Sequence, residues 1–289
     1  MMDQSVFAVV GGDFRQIALA NMLASEGITV YCSGFEQASH RLVGVASTDP
    51  LTAVLMSDVV ILPMPPTRDG VTLHAPLSTY RIELDEGFRE VLSGKAVFAG
   101  IAGKLREVSP AYAMLNIYDY YASEAFLLRN AQATAEGALA EIIAHDPRTV
   151  CGSRMLLTGA GRITGFLAPM LRALGGTISV AARKPGERAR MAAMGMEALT
   201  FGKAQRRARD FHVVVNTVPA RVIDRNFIEA LSHDVLLVEL ASSPGGIDTA
   251  YAVQKNIRMI QAPGLPGKYS PVTAAEIIKD TVMSILEEG

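Results

Sequence analysis

The chain has 289 residues, of which 49% are hydrophobic and 19% charged, a composition that excludes a disordered protein and provides enough residues for two domains. Its formal net charge of -2 gives no reason to expect a nucleic-acid partner, and its short apolar runs predict a soluble protein without membrane association. Cys32 and Cys151 lack the spacing of a zinc site or a disulfide framework, so we expect no bound metal and a reducing, cytoplasmic location.

Short apolar runs rich in β-branched residues recur along the chain, and the segments between them have helical periodicity. The runs in the first half are FAVV (7–10), ITVYC (28–32), DVVIL (58–62) and AVFAG (96–100). Those in the second half are MLLTG (155–159), TISVAA (177–182), VVVNT (213–217), VLLVEL (235–240) and IRMIQ (257–261). Strands that alternate with helices predict an α/β protein with parallel sheets, in two doubly wound Rossmann-like domains.

Two longer helical patterns complete the predicted organisation. Segment 123–145 has few helix breakers and is expected to form one bridge helix. The C-terminal segment opens with a Ser or Thr cap and has an apolar face, so we expect it to return and pack on the first domain. The predicted divisions are a Rossmann-like substrate-side domain over 1–122, a bridge helix over 123–147, an NADP-binding Rossmann domain over 148–268 and a C-terminal helix over 269–289.

The turn TGAGRITG (158–165) contains the first two glycines of the dinucleotide-binding fingerprint, Gly159 and Gly161, with Thr164 at the third position. The first glycine permits a tight turn, and the second lets a pyrophosphate approach the N-terminus of the helix. Because the turn follows a strand and opens a helix, we predict a dinucleotide site; the alternative is a glycine-rich turn without a ligand. The predicted cofactor contacts are Gly159, Gly161, Arg162, Ile163, Asn216, Thr217, Val218 and Pro219.

The residues after the second strand of this domain indicate which dinucleotide binds. An NAD site has Asp or Glu there to accept hydrogen bonds from the ribose hydroxyls. This chain has Arg183 and Lys184, two cations that suit the 2′-phosphate of NADP. We therefore predict NADP as the cofactor, with NAD as the alternative if both are ordinary surface charges.

The first glycine turn, GGDFRQ (11–16), has no frame that places glycines at the fingerprint positions. Asp13 suits the N-cap of the following helix, but a carboxylate there repels a pyrophosphate. We therefore predict that this turn keeps the fold without binding a nucleotide. Arg15 can instead bind a substrate carboxylate with its two-pronged guanidinium; the alternative is a solvent-exposed helix residue.

Seven stretches together resemble the family of dipicolinate synthase A subunits, nearly from end to end of the chain. They are VVGGDFRQ (9–16), RNAQATAEGAL (129–139), GAGRITG (159–165), ARKPGERARMAAMGMEAL (182–199), NTVPARVI (216–223), ELASSPGGID (239–248) and APGLPGKYSPVTAAEII (262–278). SSPGGID and PGLPGKYSPVTA, within the last two, are much more specific than a Rossmann fingerprint.

The resemblance implies an oxidoreductase that converts dihydrodipicolinate to dipicolinate with NADP, in the mother-cell cytoplasm of a spore-forming bacterium. It also implies a flavoprotein-like partner, the B subunit of dipicolinate synthase, and we expect a homo-oligomer. D-2-hydroxyacid dehydrogenases are similar in architecture and have a catalytic His and Arg in the cofactor domain. The corresponding stretches here, 241–248 and 263–271, contain neither residue type, so hydroxyacid oxidation is disfavoured.

Oxidation of a dihydropyridine dicarboxylate removes a hydride and a proton, and the protein must orient the ring and bind two carboxylates. Predicted substrate ligands are Gly12, Asp13, Arg15, Asn130, Thr134, Ser242, Ser243 and Lys268, with Arg68 as a further candidate. Predicted catalytic residues are Glu136, because a helix between two domains can present an acid to the substrate, and His74, on a loop. The alternatives are a solvated helix glutamate and a structural histidine.

Two other functions stay open on the sequence. One is an NAD(P)-dependent dehydrogenase of another small carboxylic acid. The other is a nucleotide-binding protein with a regulatory or scaffolding role, whose partner performs the chemistry, since the sequence shows no obvious acid–base pair.

Overall fold

The computed structural model describes residues 5–288, which form two compact units. The first unit comprises the chain up to Asn130 together with the segment from Ser270 onward, and the second is Ala131–Tyr269. The division therefore falls within a helix. The domain boundaries given from the sequence stay predictions.

Within residues 5–288, the first unit contains a six-stranded parallel sheet in the order β3-β2-β1-β4-β5-β6. Its strands are β1 (Phe7–Val10), β2 (Val30–Ser33), β3 (Ala46–Ser47), β4 (Val59–Ile61), β5 (Ala96–Ala99) and β6 (Ile117–Asp119). Its helices up to the bridge are α1 (Phe14–Ser25), α2 (Pro50–Leu55), α3 (Glu86–Leu92), α4 (Gly103–Arg106) and α5 (Pro110–Ala113), with 3-10 helices at Glu36–Arg41 and Tyr120–Ala122.

A core lies on each face of this sheet, because successive residues of a strand point to opposite sides. Phe7 and Val9 of β1 pack in one core, and Ala8 and Val10 pack in the other. All four are buried, which explains why the strand reads as a continuous apolar run.

The second unit repeats this topology, with the strand order β12-β11-β10-β7-β8-β9 among the described residues. Its strands are β7 (Arg154–Thr158), β8 (Thr177–Ala181), β9 (Glu197–Leu199), β10 (Val213–Asn216), β11 (Leu236–Glu239) and β12 (Arg258–Gln261). Its helices are α7 (Arg162–Ala173), α8 (Pro185–Ala193), α9 (Phe201–Arg206), α10 (Arg225–Glu229), α11 (Thr249–Gln254) and α12 (Leu265–Tyr269), with a 3-10 helix at Ala208–Asp210. Both sheets thus have the Rossmann order, which places a ligand site at the carboxyl ends of the central strands.

Both long helices predicted from the sequence are confirmed. The helix that carries the chain from the first unit to the second is α6 (Glu124–His145). The C-terminal helix α13 (Pro271–Glu288) returns to the first unit and packs against α1. Ile277, Ile278 and Val282 are buried there in the same core as Ile17 and Leu19.

No helix within residues 5–288 is both long and apolar enough to span a membrane.

Candidate functional site

The glycine turn of the second unit connects β7 to α7. Gly159 has a φ of +87°, and a Cβ there would lie 2.6 Å from Oγ1 of Thr217. Its N–H donates to the carbonyl of Ala181 over 2.8 Å. A side chain at this position would therefore strain the backbone and collide with the loop after β10.

Gly161 is the N-cap residue of α7, and no side chain caps this end of the helix. A Cβ at Gly161 would meet no atom within 4 Å, so the space beside it is open. Arg162 is exposed and Ile163 is half-buried in the first turn of the helix. An uncapped helix N-terminus beside an open glycine fits the pyrophosphate of a dinucleotide.

Thr164, at the third fingerprint position, fits the turn without a glycine. It is completely buried, and its hydroxyl lies 3.4 Å from that of Thr217. Oγ1 of Thr217 in turn donates to the carbonyl of Thr158 over 2.7 Å. Thr164, the residue that departs from the fingerprint, thus links the first turn of α7 to the loop after β10.

Cationic side chains follow β8, where an NAD site would have an acid. Arg183 and Lys184 are both exposed. Within the described part of the chain, the Arg183 side chain makes no hydrogen bond or ion pair, and Nζ of Lys184 lies 4.0 Å from Glu187. Arg190, which was not among the predicted site residues, donates from α8 to the carbonyl of Ala160 in the glycine turn. The sequence feature that could have indicated Arg190 is its position on the helix that follows β8, seven residues after Arg183.

Asn216, predicted as a cofactor contact, has no exposed surface. Its amide nitrogen donates to the Val218 carbonyl over 3.0 Å and to Glu239 over 2.6 Å. Its amide oxygen accepts from Oγ1 of Thr158 over 2.6 Å and from the N–H of Val218 over 3.1 Å. These four hydrogen bonds hold the loop after β10 in shape, and the contact of Asn216 with a cofactor stays a prediction.

Glu239, at the start of the stretch ELASSPGGID, was not among the predicted site residues. Its buried carboxylate also accepts from the N–H groups of Ala241, Gly246 and Ile247, over 3.0, 2.8 and 3.0 Å. It thereby joins the loop after β11 to the Asn216 loop. Of the other predicted contacts, Thr217 and Val218 are half-buried, and Pro219, Ser242 and Ser243 are exposed.

In the glycine turn of the first unit, the backbone N–H groups donate to acceptors within the same unit. Gly11 donates to the carbonyl of Ser33 over 2.9 Å, and Gly12 donates to that of His74 over 2.8 Å. The N–H of Asp13 donates to Oε1 of Gln16 over 3.1 Å, as part of a capping box on α1. Both N–H groups thus already have partners within the first unit, and their role as substrate ligands stays a prediction.

Arg15 is 5% exposed and forms a two-pronged ion pair with Asp13, over 2.9 and 2.8 Å. Burial alone would raise the pKa of Asp13, but hydrogen bonds and charge from Arg15 outweigh it and lower that pKa. Arg15 also donates to the carbonyl of Met64. Arg15 thus already has a carboxylate partner, and its role as a substrate ligand stays a prediction. The alternative of an exposed helix residue is wrong, because Arg15 is buried.

His74 lies on a loop held against the first glycine turn. Its N–H donates to the carbonyl of Pro66 over 2.7 Å, and its own carbonyl accepts from Gly12. The half-buried imidazole makes no hydrogen bond within residues 5–288. Burial and then the charge of Arg68 lower the pKa of His74, outweighing the opposite effect of Asp13. The ring is therefore a neutral base at physiological pH.

Beside this loop the first unit has a cavity of about 250 Å³. Its lining includes Thr72, His74, Tyr80 and two arginines, Arg68 and Arg81. Only Arg68 and His74 of this group were singled out in the sequence.

The remaining candidates lie on or beside α6. Asn130 and Thr134 are half-buried, and Glu136 is exposed with its carboxylate 3.4 Å from Nε2 of Gln132. Nζ of Lys268 donates to Oε1 of Glu141 over 2.6 Å. Lys268 thus already has a carboxylate partner within its own unit.

No group of His, Cys, Asp or Glu side chains suited to hold a metal ion occurs within residues 5–288.

Comparison with known proteins identifies relatives along almost the whole chain. Residues 6–121 match the family model of the N-terminal domain of the dipicolinate synthase A subunit. The dipicolinate synthase A subunit of Bacillus subtilis (strain 168) is 28% identical over 286 residues, which cover 97% of this chain and 95% of that protein. The resemblance to the family of dipicolinate synthase A subunits is confirmed.

Solved structures support the same relationship. The crystal structure of the dipicolinate synthase A subunit from Bacillus halodurans has a TM-score of 0.89 at 29% identity and covers 99% of each chain. A transhydrogenase from Sinorhizobium meliloti has a TM-score of 0.71 at 14% identity, covering 97% of this chain and 93% of its own. An L-alanine dehydrogenase has a TM-score of 0.65 at 12% identity, covering 96% and 88%. The last two show a shared fold alone, and the predicted architecture of two Rossmann-like domains is confirmed.

Proposed function

We propose that this chain is the A subunit of a dipicolinate synthase, which oxidises dihydrodipicolinate to dipicolinate with NADP⁺ as the hydride acceptor. Relatives named for dipicolinate synthase match it over 97% or more of its length. Those relatives come from Bacillus species, which supports a role in a spore-forming bacterium. The reaction transfers a hydride to the nicotinamide and releases a proton, leaving an aromatic pyridine ring.

One observation supports the nucleotide assignment most directly. The N-terminus of α7 has no side-chain cap and lies beside Gly161, whereas Asp13 caps α1 in the other glycine turn. The second turn therefore leaves helix N–H groups for a phosphate, and the first does not. Arg183, without an ion-pair partner in the described chain, supports NADP over NAD.

The chain's own residues have three tasks in this reaction. Those of the second unit bind the cofactor, with Arg183 and Lys184 on the 2′-phosphate. A second group must bind the two carboxylates, and a base must accept the proton. His74 is supported as that base by its neutral imidazole, whereas the exposed Glu136 already contacts Gln132.

The preference for NADP is tested by replacing the cation after β8. Arg183→Ala should weaken NADPH binding about tenfold and leave NADH binding within about twofold, because one charge-assisted hydrogen bond to the 2′-phosphate is lost. Fluorescence titration with each nucleotide measures both constants. Lys203→Ala, which removes an exposed cation elsewhere in the same unit, is the control. Tighter binding of NADH than NADPH by the wild-type protein would refute the assignment.

The resemblance also leads us to propose a partner, the B subunit of dipicolinate synthase. This partner would cooperate with the chain in dipicolinate synthesis, while the hydride transfer belongs to the chain itself. Dipicolinate formation that depends entirely on the B subunit would instead favour a regulatory or scaffolding role for this chain.

A further inference from the structure

The cavity in the first unit combines charged and apolar walls. Arg68 and Arg81 supply two guanidinium groups, and Leu73, Ala75 and Pro76 supply apolar surface. Its volume of about 250 Å³ lies just below the ~300–1,000 Å³ of pockets that hold drug-sized ligands. The cavity therefore suits a single-ring molecule rather than a dinucleotide.

Neither of the two arginines forms a close ion pair. Within residues 5–288, the Arg68 side chain makes no hydrogen bond or ion pair. Arg81 is 71% exposed, and the nearest oxygens of Asp69 and Glu83 lie 3.8 Å from its nitrogens, beyond hydrogen-bond distance. Arg15, by contrast, is paired at 2.8 Å with Asp13. The cavity therefore offers guanidinium groups that can still bind an incoming anion.

Among the described residues that line the cavity, Asp69 has the single carboxylate, and this carboxylate has partners of its own. It accepts from the N–H groups of Val71 and Thr72 over 2.9 and 2.8 Å, and from the hydroxyls of Thr67 and Thr72 over 3.1 and 2.7 Å. These hydrogen bonds lower the pKa of Asp69, so it stays ionised. Asp69 shapes the loop between Arg68 and Thr72, and the lining keeps an excess of positive charge.

The walls of the cavity are attached to the carboxyl ends of the sheet strands. Tyr80 shares a 3.0 Å hydrogen bond with Ser33, the last residue of β2. His74 is tied through its carbonyl to Gly12, just after β1. This is the edge of a Rossmann-type sheet at which small ligands bind.

We propose that this cavity binds a planar ring dicarboxylate, with Arg68 and Arg81 as its carboxylate ligands. The apolar lining and the Tyr80 ring would contact the flat ring, and the two guanidinium groups would bind its anionic substituents. The assignment rests on the proposed function, because it places the substrate and product of that reaction here. It also supplies carboxylate ligands without a hydrogen-bond partner within residues 5–288, whereas Arg15 and the N–H groups of Gly12 and Asp13 already have partners.

The test is calorimetric titration of the full chain with pyridine-2,6-dicarboxylate, without nucleotide. Arg68→Gln and Arg81→Gln should each weaken binding at least tenfold, while NADPH binding stays within about twofold. Arg68→Lys and Arg81→Lys should recover only part of the affinity, because lysine keeps the charge without the two-pronged geometry. Lys104→Gln removes one exposed positive charge outside the cavity and should bind like wild type.

Three results would overturn the proposal: no dicarboxylate binding by the wild-type chain, unchanged binding in both arginine variants, or an equal loss in Lys104→Gln. Thermal unfolding of each variant shows whether it is folded, and the exposed positions of both arginines favour this. Loss of binding in the variants, together with a wild-type chain that catalyses no oxidation, would support the cavity and refute the proposed reaction. The two proposals can therefore fail separately.

Discussion

Arg15 and Arg68 show how differently two arginines of one unit can be used. Arg15 is buried, so an uncompensated guanidinium there would be costly, and Asp13 neutralises it at 2.8 Å. Arg68 is exposed and keeps its donors, and its charge acts on the nearby His74. Burial and pairing, rather than residue type, therefore distinguish an arginine of the scaffold from a candidate ligand.

At the residue scale, the proton acceptor can be tested by paired substitutions. His74→Gln should lower turnover about a hundredfold or more, because a general base of this kind contributes ~10²–10⁴ in rate. Glu136→Gln should leave turnover within about twofold, since that carboxylate is exposed. Steady-state kinetics with dihydrodipicolinate and NADP⁺ measure both. The reverse pattern would assign the role to Glu136.

The pH dependence follows from the same histidine. Burial and the Arg68 charge lower the pKa of His74 below the ~6.5 of a free imidazole, so the base is neutral at pH 7. The rate should therefore be constant near neutrality and fall only as the pH drops through this lowered pKa. Arg68→Gln should raise the pKa of His74 towards ~6.5, as measured by NMR titration of the imidazole. An unchanged or lower pKa would contradict this electrostatic account.

At the scale of elements, the two glycine turns have the same place in their sheets but differ in how their backbone N–H groups are paired. Each follows the first strand of a parallel sheet and opens a helix. In the first turn, backbone N–H groups donate to the His74 carbonyl and to the side chains of Asp13 and Gln16. In the second, the helix has no side-chain cap and Gly161 lies beside open space. In the proposed function, this difference in capping between α1 and α7 explains why the second turn, and not the first, binds a phosphate.

Two glycines of the second turn provide a matched test. Gly159→Ala should raise the NADPH dissociation constant at least tenfold, because a Cβ at φ +87° is strained and collides with Thr217. Gly165→Ala should bind like wild type, because its nearest non-local atom is 3.8 Å away on Arg190. NADPH fluorescence titration measures this, with thermal unfolding as the control for folding. Wild-type affinity in Gly159→Ala would contradict the assigned turn.

The elements with long, strong patterns could be predicted from the sequence, and the short ones could not. The nine predicted strands and both long helices are present, because buried parallel strands and amphipathic helices have distinct periodicities. The prediction omitted β3, β6 and β9, strands of two or three residues without an apolar run. These short strands form because they pair with a neighbouring strand, and the periodicity of their own residues does not show that pairing.

Parts of the candidate site could be predicted only where their residues lie in one continuous segment of the sequence. The second glycine turn and Arg183 are local features, so their spacing is visible in the sequence. The Asp13–Arg15 pair is also local, but the burial that engages Arg15 depends on the surrounding fold. Glu239 gains its role from loops after two strands, and Arg81 from a cavity formed by a folded loop.

At the scale of the whole molecule, one fold has been used twice with two tasks in the proposed function. Both units have the same strand order, but the second is assigned the dinucleotide and the first the dicarboxylate. The fold is shared with a transhydrogenase and an L-alanine dehydrogenase, and the substrate in the proposed function rests on the similarity to dipicolinate synthase A subunits. In the proposed function, this chain performs the oxidation itself.

The most direct measurement incubates the isolated chain with NADP⁺ and dihydrodipicolinate formed in situ, and follows NADPH and dipicolinate together. We predict that both products appear in equal amounts, without any other protein. A chain that binds NADPH but forms dipicolinate only after the B subunit is added would contradict the assignment of the oxidation to this chain.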